Sequence, residues 1–486
     1  MSEVKDDRPS RLSAWLDGRF GLTYSLLRPA PRYSINPFYW LGALTVVAFL
    51  IQGLSGIIMM LYYVPSPSDA FSSTQYIFQT VYFGRFLETV HLYTAYAMIM
   101  LAFMHMMRGY FVSVQKKPRE MMWIVGMVMG FVTLGFGFTG YLLPWTVVSK
   151  SATDVGIGMI SALPSALSSA IIFLVVGAGG DATELLRFYD LHVVVLPAVL
   201  LVLLTVKMYM LEVHGIAEPV TGPPPDARAS HGLSIFPDVT LYLLGLAAMF
   251  GSAMLLVSAV FPLSLPPMYT PQLAAQFTPQ PDWYFLWIYQ ILKIAVFEGK
   301  GLPIALSIVT LIFVLLLALP FVDRGATRRI RDRPVYVTIG WIFIAELFVL
   351  AYWGLESPGQ VIATEEAALV LGGTAILVAI VSLAFYRGMS RRPSKPVGET
   401  HGALSTATGF VALLAAGSIG IGWSFNSIVR VVAMGANSLN LLQLGISLGV
   451  LVSVIPLSMF FLYRLELDRG SLKRRVRLFD VRGRTK

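Results

Sequence analysis

His91 and His105 stand 14 residues apart within one apolar stretch, and His192 and Lys207 stand 15 apart within another. Glycines repeat the 14-residue interval in two further apolar stretches, as Gly42/Gly56 and Gly126/Gly140. Fourteen residues of α-helix make nearly four turns, so each such pair lies on one face with about 21 Å between its members. Imidazole ligates iron, and glycine leaves a gap in the opposing wall because it has no side chain. The pattern suits two flat tetrapyrroles stacked across four helices. The unusual member is Lys207, which stands where a fourth histidine would complete the set.

Four helices of this kind need a membrane to hold them. Hydrophobic residues make up 56% of the 486-residue chain and charged ones only 13%. Ten apolar runs are legible, at 38–63, 87–112, 122–143, 187–211, 239–261, 302–322, 335–354, 366–386, 403–423 and 439–463. Each is close to the roughly 20 residues that cross a hydrocarbon core. The expected fold is therefore all-α, a polytopic membrane protein of about ten transmembrane helices, the first four forming a four-helix bundle. Residues 1–11 are polar and the first apolar run is too long for a signal-peptide core, so no cleavable leader is expected. Zero cysteines exclude a disulfide, a thiolate metal site, an iron–sulfur cluster and a thioether-linked haem within this chain.

Thirty of the 36 lysines and arginines fall on alternate connections and at both ends; Arg85, Lys150, Arg187, Lys293, Lys300 and Arg430 are left for the other side. The positive-inside rule then expects both termini in the cytoplasm of a prokaryotic cell with the chain in its plasma membrane. The net charge of +9 reflects that bias and contact with anionic lipids, not a nucleic-acid partner. Residues 8–27 are expected to form an amphipathic helix on the cytoplasmic face. Arg85 and Arg187 precede His91 and His192 by six and five residues. Both would reach the outer membrane edge, either to pair with haem propionates or simply to snorkel.

Three motifs in order carry a resemblance over residues 1–355. They are Gly140-Tyr141-Leu142-Leu143-Pro144-Trp145; Lys116-Lys117-Pro118-Arg119-Glu120 followed by Trp123 and Gly126; and Pro281-Asp282-Trp283-Tyr284. Together they resemble the cytochrome b subunit of quinol-oxidising cytochrome bc complexes, with the N-terminal di-haem part and the C-terminal quinol-site part fused. The resemblance implies four segments: a cytoplasmic leader at 1–37, a di-haem bundle at 38–219, a quinol-site domain at 220–355, and additional helices with a basic tail at 356–486. It implies two non-covalent haems, B-type or a modified A-type. The outer one is assigned to His91 and His192, with Gly42, Gly56, Gly126, Gly140, Arg85 and Arg187 grouped around it, and the inner one to His105 and the residue at 207.

Lys207 leaves three readings open. A neutral amine has a lone pair for iron, and burial favours that neutral form. Alternatively Lys207 snorkels or pairs with a propionate, or His214 is the ligand, about 10 Å further along the helix. The fifteen-residue interval is expected to be absorbed by a bulge at Pro197.

The resemblance also implies bifurcated quinol oxidation on the outer side. Asp282 would accept a quinol proton, and Pro281, Trp283, Tyr284, Ala152 and Thr153 would line the quinol site. One electron would pass to a separate Rieske iron–sulfur protein and one across the stacked haems to a quinone near Glu212, His214 and Asp238, with proton translocation. Cytochrome c or terminal oxidase subunits and a homodimer or supercomplex are the implied assembly. Two rival classes remain. A ten-helix transporter leaves the histidine and glycine intervals unexplained, and a di-haem anchor of hydrogenase or formate dehydrogenase type has no use for the 281–284 tetrad.

Overall fold

The computed structural model describes residues 29–30, 37–217, 233–235, 239–325, 327–328 and 332–390. The expected amphipathic segment 8–27, Asp238 and the runs at 403–423 and 439–463 lie outside the described residues. Eight helical stretches among the described residues are long and apolar enough to cross a membrane. They include helices α1 (Leu41–Met60), α3 (Gly84–Phe111) and α4 (Glu120–Leu142), and the stretch Asp181–His214. The others are α9 (Thr240–Val260), Gly299–Val322, which contains α12, α13 (Pro334–Glu356) and α14 (Thr364–Ser390), whose apolar window ends at Ala384. Large apolar side chains point outward along them, such as Leu54, Leu369 and Ile376. A surface of this kind matches lipid, where helices satisfy their own backbone groups.

The long stretch Asp181–His214 is not one uniform helix. α7 (Asp181–Asp190) passes into π-helix over Leu191–Val195 and then into α8 (Leu196–His214). Pro197 has no N–H to donate, which favours a break in the α pattern just before it. A straight α-helix would carry Lys207 about 60° past His192 after 15 residues. The π turn takes up an additional residue, so both side chains face α4. The sequence expectation of a bulge at the proline is met one turn earlier, at His192 itself.

α1 packs against α3, α4 packs against the α7–α8 stretch, and α9 closes one side. The centre is filled by Leu44, Ala48, Met98, Leu200, Leu246, Phe250 and Met254. Met98 lies midway between His91 and His105, and Leu200 lies between His192 and Lys207. The apolar centre thus separates two levels of ligating side chains.

α12 is Leu302–Val322, and shorter elements complete the scaffold: α2 (Ala70–Gln79), α5 (Val147–Ser161), α6 (Ser165–Ile171), α10 (Pro271–Ala274) and α11 (Leu286–Leu292). Thr146 starts α5 with a reciprocal capping box to Ser149, which satisfies donors left open at a helix start. Among the described residues the only strand pairing is Pro29–Ala30 against Leu233–Ser234, antiparallel. A buried ionic cluster fastens the α3–α4 connection to the α12–α13 connection: Lys116 Nζ lies 3.1 Å from Asp323 Oδ1, Gln115 Nε2 donates to Asp323 Oδ2 at 3.0 Å, and Arg333 pairs with Asp323 and Ser113. Charges so buried are tolerable only when paired and hydrogen-bonded.

Candidate functional site

The four glycines each face one ligating side chain. A Cβ built on Gly56 would stand 3.3 Å from His91 Cε1, and one on Gly140 would stand 2.5 Å from His192 Cε1. At the other level, a Cβ on Gly42 would stand 3.0 Å from His105 Cε1, and one on Gly126 would stand 2.5 Å from Lys207 Nζ. This corrects the grouping of all four glycines with one haem. Gly56 and Gly140 belong to the His91–His192 level, whereas Gly42 and Gly126 belong to the His105–Lys207 level, because each glycine pair spans the same axial distance as the ligand pair it faces. Lys207 occupies the position that the other three ligands define by symmetry. His214 lies further along α8, its carbonyl receiving a hydrogen bond from Arg119 at 3.0 Å.

The residues fit the cofactor. The His91 and His192 ring centroids are 6.2 Å apart. Two metal–nitrogen bonds of about 2 Å, plus the distance from nitrogen to ring centre on each side, come to a similar figure. Ser55 Oγ lies 2.8 Å from His91 Nδ1, and Thr139 Oγ1 lies 3.2 Å from His192 Nδ1. These contacts engage each Nδ1 and leave each Nε2 free to coordinate a metal. At the other level, His105 Nδ1 is buried with no hydrogen-bond partner among the described residues.

Arg85 does not turn toward this bundle interior. Its Nε donates to Leu263 O at 2.6 Å, and its side chain borders a surface cleft with Phe78 and Pro267. Arg187 Nη1 donates to Leu174 O at 2.8 Å. Arg85 is exposed and Arg187 half-buried, and backbone carbonyls hold both guanidiniums. Lys150, expected simply as an outer-side charge, is buried at 5% exposure between Asp154, Asp181 and Glu184, with Nζ 3.4 Å from Asp181 and 3.3 Å from Glu184. It pins α5 to α7. Glu346, within α13, has both carboxyl oxygens buried without a hydrogen-bond partner among the described residues.

The second constellation surrounds Asp282. Its Oδ1 accepts the Trp283 N–H at 2.9 Å, and the Tyr96 phenol of α3 stands beside the carboxyl and favours its charged form. Its Oδ2 is sealed from solvent with no partner among the described residues. Burial pushes the carboxyl up to about 6, against the opposing pull of the Tyr96 and Trp283 hydrogen bonds. The Tyr284 phenol is raised as well, first by burial and then by the neighbouring Asp282 charge. Tyr284 lies 4.8 Å from Phe285 and 6.4 Å from Tyr96, ring to ring, and a Cβ on Gly137 would meet its phenol oxygen at 2.8 Å.

Ala152 and Thr153 are buried in α5, and Thr153 donates to Ser149 O at 2.8 Å. The wall reaches the tetrad through Phe138, which packs under Gly156 and lies 6.2 Å from Phe285. Sequence reasoning missed Tyr96, the role of Tyr141 beside Asp282, and the hydroxyls of Ser55 and Thr139. The hydroxyls had a signal: each immediately precedes the glycine of its level, where Leu41 and Val125 precede the other two glycines.

The geometry is that of a helical membrane protein with two levels of histidine and lysine side chains facing glycines and an acid-bearing aromatic site beside the bundle. The family description Cytochrome b/b6/petB matches residues 27–215, and Cytochrome b(C-terminal)/b6/petD matches residues 266–386. A cytochrome bc complex cytochrome b subunit of Chlorobaculum thiosulfatiphilum is 32% identical over 357 residues, covering 72% of this chain and 82% of the relative. Cytochrome b6 of Heliobacterium mobile is 40% identical over 192 residues, 40% of this chain and 90% of the relative. Cytochrome b of Sulfolobus acidocaldarius is 28% identical over 411 residues, 79% of this chain and 72% of the relative. A solved structure titled "Hyperthermophilic respiratory Complex III" shares the fold, with a TM-score of 0.63 at 24% identity, covering 77% of this chain and 96% of that one. The chain belongs to the cytochrome b family of cytochrome bc complexes, with the N- and C-terminal family parts fused in one polypeptide. It is accordingly an integral membrane cytochrome b, of a family that binds haem.

Proposed function

We propose that this subunit oxidises quinol at a site bounded by Asp282, Tyr284, Trp283, Pro281 and Tyr96 on the outer side of a prokaryotic plasma membrane. The carrying observation is that Tyr96, whose phenol neighbours the Asp282 carboxyl, stands five residues from His91 on the same helix, a rise of about 7.5 Å. The proton acceptor and a ligating histidine are thereby fixed to one rigid element.

Quinol is the substrate and loses two protons and two electrons. Asp282 Oδ2, buried without a hydrogen-bond partner among the described residues, takes a hydroxyl proton, while the Trp283 N–H holds the carboxylate in place and the Tyr96 phenol stands beside it. The Tyr284 and Phe285 rings exclude water around it. One electron leaves to a Rieske iron–sulfur protein, necessarily another chain because this one has no cysteine. Bound haem would supply one-electron acceptors at the two levels, B-type or a modified A-type, held by His91 and His192 on the outer side and by His105 and Lys207 on the inner. The amine of Lys207 as fourth ligand is supported by its position over Gly126, equivalent to that of His192 over Gly140.

On the cytoplasmic side, Glu212, His214 and Asp238 are the donors we assign to quinone reduction. Arg119, bonded to the His214 carbonyl, fixes the end of α8 there. Arg85 and Arg187 act as interfacial anchors, since backbone carbonyls already hold their guanidiniums. Proton release outside and uptake inside couple the reaction to proton translocation. Cytochrome c or terminal oxidase subunits would complete the assembly, as a homodimer or supercomplex.

The test is quinol-dependent turnover of the purified complex against pH. The Asp282 carboxyl is raised from 3.8 to about 6, so the base form prevails above about pH 6 and is lost as pH falls through it. Turnover should rise through that region to a plateau. Asp282→Asn should lower the plateau about 100-fold, within the usual range for a lost general base, and abolish the rising limb. Wild-type-like turnover and pH dependence in the variant would remove Asp282 from the mechanism.

A further inference from the structure

The hydroxyl contacts at the His91–His192 level assign tautomers. Ser55 Oγ lies 2.7 Å from Ile51 O, and Thr139 Oγ1 lies 2.8 Å from Gly135 O. Each hydroxyl donates its one hydrogen to the carbonyl four residues back in its own helix, a common use of serine and threonine in helices. What each oxygen offers the imidazole is therefore a lone pair. His91 donates Nδ1–H to Ser55 at 2.8 Å, and His192 donates Nδ1–H to Thr139 at 3.2 Å. The carbonyls of Gln52 and Phe136, each four residues before the facing glycine, also interact with these rings. The two half-sites are thus built alike on different helices. Nothing comparable serves His105, whose Nδ1 has no partner among the described residues, and Leu41 and Val125 stand at the positions equivalent to Ser55 and Thr139.

A hydrogen bond from the non-coordinating nitrogen makes an imidazole a stronger electron donor to its metal. A stronger donor stabilises ferric over ferrous iron. We infer that Ser55 and Thr139 are positioning residues that lower the reduction potential of the iron held by His91 and His192, setting the outer level below the inner one. The inference rests on the proposed two-haem reading. Its consequence is directional: the two hydroxyls bias electron transfer from the outer toward the inner level.

The experiment is optical redox titration of the full chain purified in its complex, with the outer couple identified as the one that His192→Ala abolishes. The double variant Ser55→Ala/Thr139→Val should raise the outer midpoint by the equivalent of about a tenfold change in the oxidised-to-reduced ratio, about 59 mV for a one-electron couple, and leave the inner couple in place. Ser55→Thr, which keeps the acceptor oxygen, should titrate as the wild type and shows that changing this side chain is not itself the cause. An unmoved outer couple in the double variant overturns the inference while leaving the two-haem reading intact. Equal movement of both couples overturns it too, because a general loosening of the bundle would act on both. A wild-type preparation whose pyridine haemochrome contains no haem overturns the inference and its parent reading together.

Discussion

The two ligand levels share spacing and differ in chemistry. At one, two histidines face Gly56 and Gly140, and each ring is oriented by a hydroxyl. At the other, one histidine without an Nδ1 partner among the described residues and one lysine face Gly42 and Gly126. Helix geometry fixes the depth and direction of all four side chains, so the repeat of 14 survives even where the donor atom changes. The orienting groups have no such constraint and were not repeated. A backbone register can therefore be duplicated while the electronic character of the two sites diverges, and that divergence separates a directional pair from two equal stations.

The largest effect should come from removing a donor at the better-ordered level. His192→Ala should reduce haem content from two per chain to one, measured by pyridine haemochrome against protein concentration, because His91 alone would face an open slot. Lys207→Ala should act on the inner haem alone, altering its content or its absorption and electron paramagnetic resonance spectra while the outer haem stays as in the wild type. If instead the lysine variant matches the wild type spectrally, the amine is not a ligand and the inner level is five-coordinate or otherwise ligated.

The glycines sharpen the same comparison at lower cost. A Cβ on Gly140 would meet His192 at 2.5 Å, whereas one on Gly56 would meet His91 at 3.3 Å. Both contacts are with side chains that the cofactor must share space with, but only the first is impossible without movement. Gly140→Ala should lower outer haem occupancy several-fold and shift its spectrum, through overpacking worth about 1–3 kcal/mol. Gly56→Ala should change either by much less. Equal losses in the two variants would mean that the slot is wide at both walls and that glycine is retained for another reason.

Much of this was legible in the sequence because it is periodic. The histidine and glycine intervals, the apolar runs and the 281–284 tetrad need only helix pitch and residue type to be read. The π-helical turn at His192 was legible only in part. Fifteen residues and a proline showed that a residue must be absorbed, but its place depends on which carbonyls the neighbouring helix leaves free. The assignment of glycines to levels was misread because the sequence gives axial spacing but not relative sliding of helices; α1 places Gly42, not Gly56, beside His105. Tyr96 was invisible for a different reason. It lies 186 positions before Asp282, and no local pattern marks a tyrosine as the partner of a loop carboxylate that folding brings to its helix.

Gly137 gives the smallest predicted effect and connects the ligand bundle to the quinol site. It lies three residues before Gly140 on α4, nearly one turn away, and a Cβ there would stand 2.8 Å from the Tyr284 phenol oxygen and 2.9 Å from its ring. One glycine on this helix thus accommodates a ligand and another accommodates the substrate wall. Alanine at 137 should push Tyr284 back while leaving the Asp282–Tyr96 contact intact, because that contact is made from α3. The expected outcome is a rise of a few-fold in KM for quinol, with kcat, the pH limb near 6 and both haem spectra retained. A change in the outer haem spectrum as large as that of Gly140→Ala would show instead that α4 moves as one body, so that the two sites cannot be altered independently through it.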